Sequence, residues 1–259
     1  MSNELKAKVQ AQFGAAADSY AASDIHAKGE SLGLLLELVK PQPHWQMLDV
    51  GAGAGHTAMA FAPQVAHVIA ADITTEMLAK TAELAAARGL TNLETRVADA
   101  EALPFDNDSF DLVTCRLAFH HFPEARQAIS EFARVLKPGG VIGFTDNITV
   151  PDKQAAGYYN AYEKLRDPSH NWVYPLVRLQ AMFEQAGLQV EATRQLSKEF
   201  EFHEWADRQH VSEANKTRLL EMMRRLPEAL QPFLSPRWAD GTLYFTLHEA
   251  VLVARLRQG

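Results

Sequence analysis

What this 259-residue chain lacks narrows its possible functions. Its single cysteine, Cys115, excludes an internal disulfide and any metal site built from several cysteines. The net charge is −7 and the Lys and Arg residues form no block, so the chain has no electrostatic footprint for nucleic acid. The richest apolar run, LGLLLELV, is far too short to span a bilayer, and the polar start MSNELKAK has no signal-peptide core. We therefore expect a cytoplasmic protein with no nucleic-acid or membrane partner.

The composition is that of an ordinary globular protein, with 47% hydrophobic and 22% charged residues. Its length suits one α/β domain with a cap, and no repeat, low-complexity tract or flexible linker divides it. We predict a single domain over residues 1–259. Its expected parts are two helices in 1–45, a core in 46–150, a lid-like segment and helical insertion in 151–240, and a last strand in 241–259.

Short β-type runs alternate with amphipathic stretches through the first 150 residues. The runs are QMLDV, HVIAAD, LETRVAD, FDLVTC and GVIGFTDN. Such alternation predicts right-handed βαβ units, and hence an α/β fold with a doubly wound, mostly parallel sheet. The clearest intervening helix is TTEMLAKTAELAAARG, with an N-cap at Thr74 and a stop at Gly89.

A glycine-rich turn follows the first predicted strand in MLDVGAGAGHTA. Glycines at such a place let the backbone approach a ligand closely and present free amides at a helix N-terminus. The spacing is G-x-G-x-G, with His56 where a dinucleotide fingerprint would have its third glycine. No Gly-Lys-Ser/Thr follows, so the turn is not a P-loop either.

Acidic residues close the next two predicted strands. Asp72 stands where an acid commonly accepts hydrogen bonds from ribose hydroxyls, and Asp99 suits the exocyclic amine of adenine. Ile73 and Met77 offer apolar contact to a ring. A glycine turn alone, or either aspartate as a helix cap, needs no ligand, but three such features in consecutive βα loops favour a ligand site.

With these motifs the chain resembles the class I S-adenosylmethionine-dependent methyltransferases. The resemblance rests on MLDVGAGAG, VIAADIT, VADAEALPFDNDSFDLV and VLKPGGVIGFTD. VQAQFGAAADSY and FHHF are also similar to the ubiquinone and menaquinone biosynthesis methyltransferase group of small-molecule enzymes. The resemblance implies S-adenosylmethionine as cofactor and a Rossmann-like seven-stranded sheet whose last strand, LYFTLHEAVLVARL, is antiparallel.

The resemblance also implies a set of cofactor contacts. The first-motif acid and glycines would hold the methionine end, the acid after the second strand the ribose, and the acid after the third strand the adenine. Residues 1–45 would lie over the cofactor and 151–240 would form the acceptor site. The expected cofactor residues are Asp49, Gly51, Ala52, Gly53, Gly55, Asp72, Ile73, Met77, Asp99, Ala100, Arg116, His121, Tyr20 and His26.

Candidates for the chemistry follow the fourth predicted strand, whose carboxyl end faces the ligand crevice in doubly wound folds. His120 and His121 are candidate general bases near neutral pH, although each can instead cap a helix or pack against the cofactor backbone. Arg116 is expected to contact the cofactor or an anionic acceptor, with a salt bridge at the sheet edge as the alternative.

A metal is not expected. Asp146 and Asn147 are similar to the metal ligands of catechol-type O-methyltransferases, but Arg116 stands where those enzymes have an acid, and its charge opposes a divalent ion. Polar and aromatic residues suited to a largely apolar acceptor occur after residue 146. The expected substrate residues are Asp167, His170, Trp172, Tyr174 and Asn147, with a solvated loop as the alternative for the segment RDPSHNWVY.

The favoured function is methyl transfer to O, N or C of a small aromatic or otherwise apolar molecule, by a monomer or homodimer. Nucleic-acid amino-methyltransferases carry Asn/Asp-Pro-Pro-aromatic after the fourth strand, which this chain lacks. Two alternatives stay open: a non-catalytic S-adenosylmethionine-binding protein and, against the glycine spacing, an NAD-dependent oxidoreductase.

Overall fold

The computed structural model describes residues 2–21 and 29–257. Its strands are β1 Gln46–Val50, β2 His67–Asp72, β3 Leu93–Val97, β4 Phe110–Arg116, β5 Leu136–Asn147, β6 Leu188–Glu201, β7 Arg237–Ala239 and β8 Thr242–Leu256. Its α-helices are α1 Ser2–Ala21, α2 Glu30–Val39, α3 His56–Phe61, α4 Thr75–Ala87, α5 Ala125–Val135, α6 Lys153–Arg166, α7 Leu176–Gln185, α8 Phe202–Asp207, α9 Glu213–Arg224 and α10 Gln231–Leu234. No helix in the described ranges is long and apolar enough to cross a membrane.

The sheet confirms the predicted doubly wound α/β fold. Its order is β3-β2-β1-β4-β5-β8-β6, with β1 to β5 mutually parallel and β8 antiparallel to both β5 and β6. The seven-strand expectation missed β7, which makes an eighth strand among the described residues by pairing with β8. Asp240 and Gly241 both have positive φ, 50° and 80°, as a tight hairpin turn requires. The Asp-Gly pair was the sequence signal for this hairpin.

The strands at the centre of the sheet are buried because helices cover both faces. On one face Leu35 of α2 and Phe61 of α3 join the core beneath β1. On the other face Phe132 of α5 and Phe183 of α7 pack against Phe144 of β5. This sandwich brings the carboxyl ends of β1, β2, β4 and β5 to one edge, where their loops converge.

A second apolar cluster forms the cap. In it α6, α8 and α9 pack against the extended end of β8. The Tyr162 ring stacks on Trp205 with centroids 5.3 Å apart, and Trp205 meets Phe245 edge-on at 5.0 Å. The segment expected to be lid-like therefore begins with α6, a packed helix whose N-cap, Asp152, accepts a bond from the Ala155 amide at 2.8 Å. Residues 153–166 thus form a packed helix of the cap, and residues 167–175 are a turn and irregular chain that lead to α7.

Candidate active site

A cavity opens at the carboxyl edge of the sheet, between the loops that follow β1 to β4 and helix α1, and the space between its walls, open solvent included, is about 990 Å³. We call it the first cavity. Most of the predicted cofactor residues line it, although they come from four separate loops. Those lining residues are Gly51, Ala52, Gly53, Asp72, Ile73, Met77, Asp99, Ala100, Arg116 and His121.

The three glycines of the turn are needed for different reasons. All have positive φ, which favours glycine. At Gly51 an added Cβ would lie 2.6 Å from the Ala118 Cβ, so the backbone passes too close to the β4 loop for any side chain. At Gly53 nothing lies within 4 Å of that position, so the space beside it is available to a ligand. Gly55 does not line the first cavity; it packs against Thr81 of α4, whose Cγ2 would be 2.4 Å from an added Cβ.

Asp49 lies beneath the turn and does not line the first cavity. Its fully buried carboxylate accepts hydrogen bonds from the Thr114 hydroxyl at 2.7 Å and the Ala58 amide at 3.1 Å. Burial raises the pKa of Asp49 to about 7, against the lowering effect of the Thr114 bond and the Arg116 charge. These bonds give Asp49 an internal role, and its contact with the methionine end stays a prediction. Asp49 ties β1 to β4 and to the start of α3.

Asp72 links the first two loops of the site. Its Oδ2 accepts the Gly53 amide at 2.8 Å and its Oδ1 accepts the Thr74 amide at 2.8 Å. Burial raises the pKa of Asp72, and these amide bonds oppose that shift. A donor group of a ligand in the cavity would join these amides at the carboxylate, whose two oxygens have four lone pairs in all.

Helix α1 covers the adenine end of the predicted site. The Lys6 ammonium lies 2.6 Å from Asp99 Oδ2 and also pairs with Glu101. Val9 and Phe13, one and two turns further along α1, line the cavity too. The sequence analysis singled out none of these three side chains, since an amphipathic helix gives no sign of which remote loop it will cover. The side chain of Tyr20, and His26, lie outside the described residues.

Arg116 and His121 approach the first cavity from the loop after β4. Arg116 Nε donates to the Thr57 hydroxyl at 3.0 Å, and both side chains line the cavity. His121 Nδ1 lies 3.1 Å from the Ser169 carbonyl oxygen, and the ring meets Phe13 edge-on at 5.0 Å. Burial, followed by the charge of His120, lowers the pKa of His121 to about 4.

His120 does not line the first cavity. Its Nδ1 lies 2.6 Å from Asp146 Oδ1, and its amide donates to Asp146 Oδ2 at 2.9 Å. Burial favours the neutral ring, but the Asp146 carboxylate outweighs it and raises the pKa of His120. His120 is therefore a partner of Asp146 held behind His121, with the two imidazole centroids 4.1 Å apart.

The predicted substrate residues of the cap do not line this cavity. Asp167 accepts from the Ser169 amide at 2.8 Å and hydroxyl at 2.5 Å, and His170 Nε2 lies 2.8 Å from Asn160 Oδ1. Both side chains are buried, and burial lowers the pKa of His170 to about 2. Trp172 is 37% exposed, and Tyr174 packs near Phe119. The sequence pattern identified these polar residues. It did not show that their hydrogen bonds are made to other residues inside the cap.

Asn147, the remaining predicted substrate residue, lines a second cavity, where the space between the walls, open solvent included, is about 1110 Å³. This second cavity lies between the start of α2, the end of β5 and the extended parts of β6 and β8. Its apolar lining is Leu117, Leu196, Phe200 and Leu247, and its polar lining includes Glu30, Ser31, Asn147, Lys198 and Glu249. Leu117 lines the first cavity as well, so the two cavities adjoin at this residue.

Metal binding finds no support in the residues that the structure describes, where no group of three or more His, Cys, Asp or Glu side chains is arranged to hold an ion. Asp146, the acid considered as a ligand, is committed to His120. That the protein uses no metal stays a prediction.

The sequence is similar to known methyltransferases. Residues 48–144 match the family model described as a methyltransferase domain. The uncharacterized methyltransferase YcgJ of Bacillus subtilis is 37% identical over 196 residues, which cover 76% of this chain and 78% of that protein. A demethylmenaquinone methyltransferase of Clavibacter sepedonicus is 39% identical over 131 residues, covering 51% of this chain and 53% of that enzyme.

Solved structures extend the similarity over most of the fold. The crystal structure of YcgJ superposes with a TM-score of 0.85 at 31% identity, covering 88% of this chain and 99% of that one. A proposed methyltransferase of Bacillus halodurans superposes with a TM-score of 0.84 at 33% identity, covering 88% of this chain and 100% of that one. The similarity therefore includes the cap as well as the glycine turn.

Proposed function

This chain belongs to the class I S-adenosylmethionine-dependent methyltransferases, and from that premise we propose that it binds S-adenosylmethionine in the first cavity and methylates a small molecule. The acceptor is aromatic or otherwise apolar, and an oxygen, nitrogen or carbon atom of it receives the methyl group. The convergence of Gly53, Asp72 and Asp99 on one cavity carries the proposal. They lie at the ends of three neighbouring strands. Asp72 and Asp99 offer acceptors that an adenosine needs, and Gly53 leaves space for a ligand beside the backbone.

The nucleoside end of the cofactor fits the chemistry between β2 and β3. Asp72 offers carboxylate lone pairs to the ribose hydroxyls. Ile73, Met77 and Ala100 offer an apolar slot to the flat adenine ring, and Asp99 offers an acceptor to its amine. The Lys6 ammonium lies at that same carboxylate, so helix α1 would close over this end of the ligand.

The methionine end fits the region between the glycine turn and β4. Arg116 places a guanidinium in the cavity, and its fork of N–H donors matches a carboxylate. Thr57, which accepts a bond from Arg116, holds that guanidinium against the start of α3. The glycine turn allows the ligand to approach the backbone at Gly53 without meeting a side chain.

When bound, the cofactor would supply an electrophilic methyl carbon, and its transfer to an electron pair of the acceptor would leave the carbon–sulfur bonding electrons on sulfur. The protein's part is to align the two reactants and keep water out. Water is kept out by apolar residues that line the first cavity, namely Phe13, Phe122 and Pro123.

His121 is the candidate base that lines this cavity. The Ser169 carbonyl can only accept, so His121 carries its proton on Nδ1 and presents an Nε2 lone pair. Because its pKa is about 4, the ring is neutral at physiological pH. It therefore accepts a hydrogen bond from the acceptor more readily than it holds a proton as an imidazolium. His120 and Asp146 hold it from behind.

Calorimetry tests the cofactor assignment. We expect S-adenosylmethionine and S-adenosylhomocysteine to bind and NADH not to bind. An Asp72→Asn substitution should weaken binding of both sulfur compounds by about tenfold or more, because a charged acceptor is lost. Asp106→Asn, in an exposed turn, is the matched control and should bind like the wild type. Binding of NADH without S-adenosylmethionine would refute the proposal.

Incubation with methyl-labelled cofactor and a small-molecule extract tests turnover. We expect label in a small organic product and none in added DNA or RNA. Tight cofactor binding with no labelled product would instead indicate a non-catalytic binding protein. Sedimentation during the same work would test the proposed monomer or homodimer.

A further inference from the structure

Resting on that proposed function, we propose that the second cavity is the methyl-acceptor site and takes a neutral or cationic molecule with an apolar body and a hydrogen-bond donor directed at Glu249. The acceptor-binding residues then come from α2, β5, β6 and β8. The buried residues of the segment after α6 support the cap and do not touch the acceptor.

The position of the second cavity makes transfer possible. Leu117 follows β4 with a φ of 56° and lines both cavities, so the two adjoin beside this residue. The Leu117 amide donates to the Thr145 carbonyl at 2.8 Å, which holds this loop to β5. A methyl donor in the first cavity and an acceptor in the second would come into contact beside Leu117, as alignment of two reactants requires.

The second cavity is shaped by two strands, β6 and β8, that extend beyond the rest of the sheet. β6 and β8 continue as an antiparallel pair beyond the end of β5. Their register pairs Leu196 with Glu249 and Lys198 with Leu247, which puts these alternate side chains on one face. Phe200 and Leu117 add to the apolar wall. The result is a largely apolar recess with polar groups at one side, the usual form of a small-molecule site.

Glu249 supplies the polar recognition. It stands opposite Asn147 in the β5–β8 register, and both line the cavity. Burial raises the pKa of Glu249, while a hydrogen bond with Ser31 and the charge of Arg116 oppose that rise. A carboxylate in such a recess gains from a ligand N–H or O–H, because burial has cost it much of its hydration.

Charge at the cavity selects against anions. Two carboxylates, Glu30 and Glu249, line it against one ammonium, Lys198. The N-terminus of α2 carries a partial positive charge that would attract an anion. Two carboxylates already offset this charge: Glu30 in the first turn of α2, and Glu249 through its hydrogen bond with Ser31. An amine or a neutral hydroxyl therefore fits better than a carboxylate or phosphate.

Three phenols that differ in charge make the test: 4-methylphenol, tyramine and 4-hydroxyphenylacetate. Their binding to protein saturated with S-adenosylhomocysteine is measured by ligand-observed NMR. We expect 4-methylphenol and tyramine to bind, and 4-hydroxyphenylacetate to bind about tenfold more weakly or not at all. Glu249→Gln should reduce the preference for tyramine over the anionic phenol.

Two substitutions locate the binding. Leu196→Trp should fill the cavity and abolish binding of both phenols, and Lys198→Trp should do the same from an exposed position on the same face of β6. Val177→Trp, at a 65% exposed position on α7, is the control and should bind like the wild type. Calorimetry with S-adenosylhomocysteine on each variant checks that the first cavity is intact.

The outcomes separate the two proposals. Failure of the wild type to bind S-adenosylhomocysteine overturns the proposed function and this inference with it. If S-adenosylhomocysteine binds, this inference alone is overturned by any of three results: none of the phenols binds, both Trp variants still bind them, or the anionic phenol binds as tightly as tyramine.

Discussion

The Lys6 ammonium lies 2.6 Å from the Asp99 carboxylate, which joins the first helix of the chain to the loop after β3 across the mouth of the first cavity. Gln10 strengthens this attachment, since its side-chain amide donates to the Ile73 carbonyl at 2.9 Å. Asp18 adds an ion pair with Lys80 at 2.8 Å. Helix α1 is therefore held over the predicted adenine site by polar contacts that salt can weaken.

Removing the Lys6 charge should speed release of S-adenosylhomocysteine. We expect Lys6→Met to raise the dissociation rate by about fivefold at low salt, since a partly exposed ion pair contributes about 1 kcal/mol. The difference should shrink in high salt, and stopped-flow fluorescence would measure both rates. Lys8→Met, whose partner Glu4 lies one turn away on an exposed face, is the control. Equal rates for the Lys6 variant and wild type would contradict α1 acting as a cover.

Gly53→Ala should abolish cofactor binding without a matching loss of stability. Gly53 and Gly89 have φ of 54° and 67°, and at neither does an added Cβ meet another atom within 4 Å. Both alanine variants should therefore lose about 1 kcal/mol of unfolding free energy through backbone strain. Only the Gly53 methyl enters the first cavity, so only that variant should fail in calorimetry with S-adenosylmethionine. Normal binding by Gly53→Ala would show that the ligand does not approach this turn.

Asp49→Asn should change how stability depends on pH. Burial raises the native pKa of Asp49 to about 7, so the native carboxyl keeps its proton to a higher pH than the unfolded one. The wild type therefore loses stability as pH rises from about 4 to 7, because ionisation then favours the unfolded state. The variant lacks that loss. The difference in unfolding free energy, variant minus wild type, should therefore increase by on the order of 2 kcal/mol from pH 5 to pH 8.

Urea unfolding at several pH values measures this effect. An asparagine retains an acceptor for the Ala58 amide and can donate to the Thr114 hydroxyl, so the comparison isolates the charge. Asp106→Asn should track the wild type at every pH. A constant difference between wild type and Asp49→Asn would disprove the raised pKa.

Asp146→Asn should lower the pKa of His120. The Asp146 carboxylate is what raises it against burial, and asparagine removes the charge while keeping one of the two acceptor oxygens. The stabilisation from this pair is complete below the unfolded histidine pKa and is lost as pH rises through the folded one. The variant should thus be least stable relative to wild type in mildly acidic solution. NMR titration of the His120 ring measures the shift, with exposed His44 as an unaffected reference; an unmoved His120 titration would contradict the pairing.

The parts of the fold that sequence reasoning recovered are those with a local cause. Alternating apolar runs such as QMLDV and HVIAAD specify buried parallel strands because their period and length are properties of a few neighbouring residues. The turn at Gly51 and Gly53 could be predicted as well, because a positive φ favours glycine at the position itself. β7 was missed because a three-residue strand has too few residues to show a period.

The candidate site was recovered less completely. Asp72 and Asp99 follow successive strands, so parallel topology alone places them together. His120 and His121 adjoin in sequence, yet only His121 lines the first cavity, because His120 lies behind it and pairs with Asp146. Asp167 and His170 resembled ligand-binding residues. The sequence did not show that they form buried hydrogen bonds with other residues of the cap.

The sequence by itself determined the doubly wound core, the glycine turn and the acids that close β2 and β3, because each follows from residues close together in the chain. Tertiary structure alone decided that Lys6 reaches Asp99, that Asp49 lies beneath the turn, and that Glu249 meets Ser31 beside a second cavity. These relationships join elements far apart in sequence. They depend on which face of a strand or helix points inward, which only the packing of the whole sheet settles.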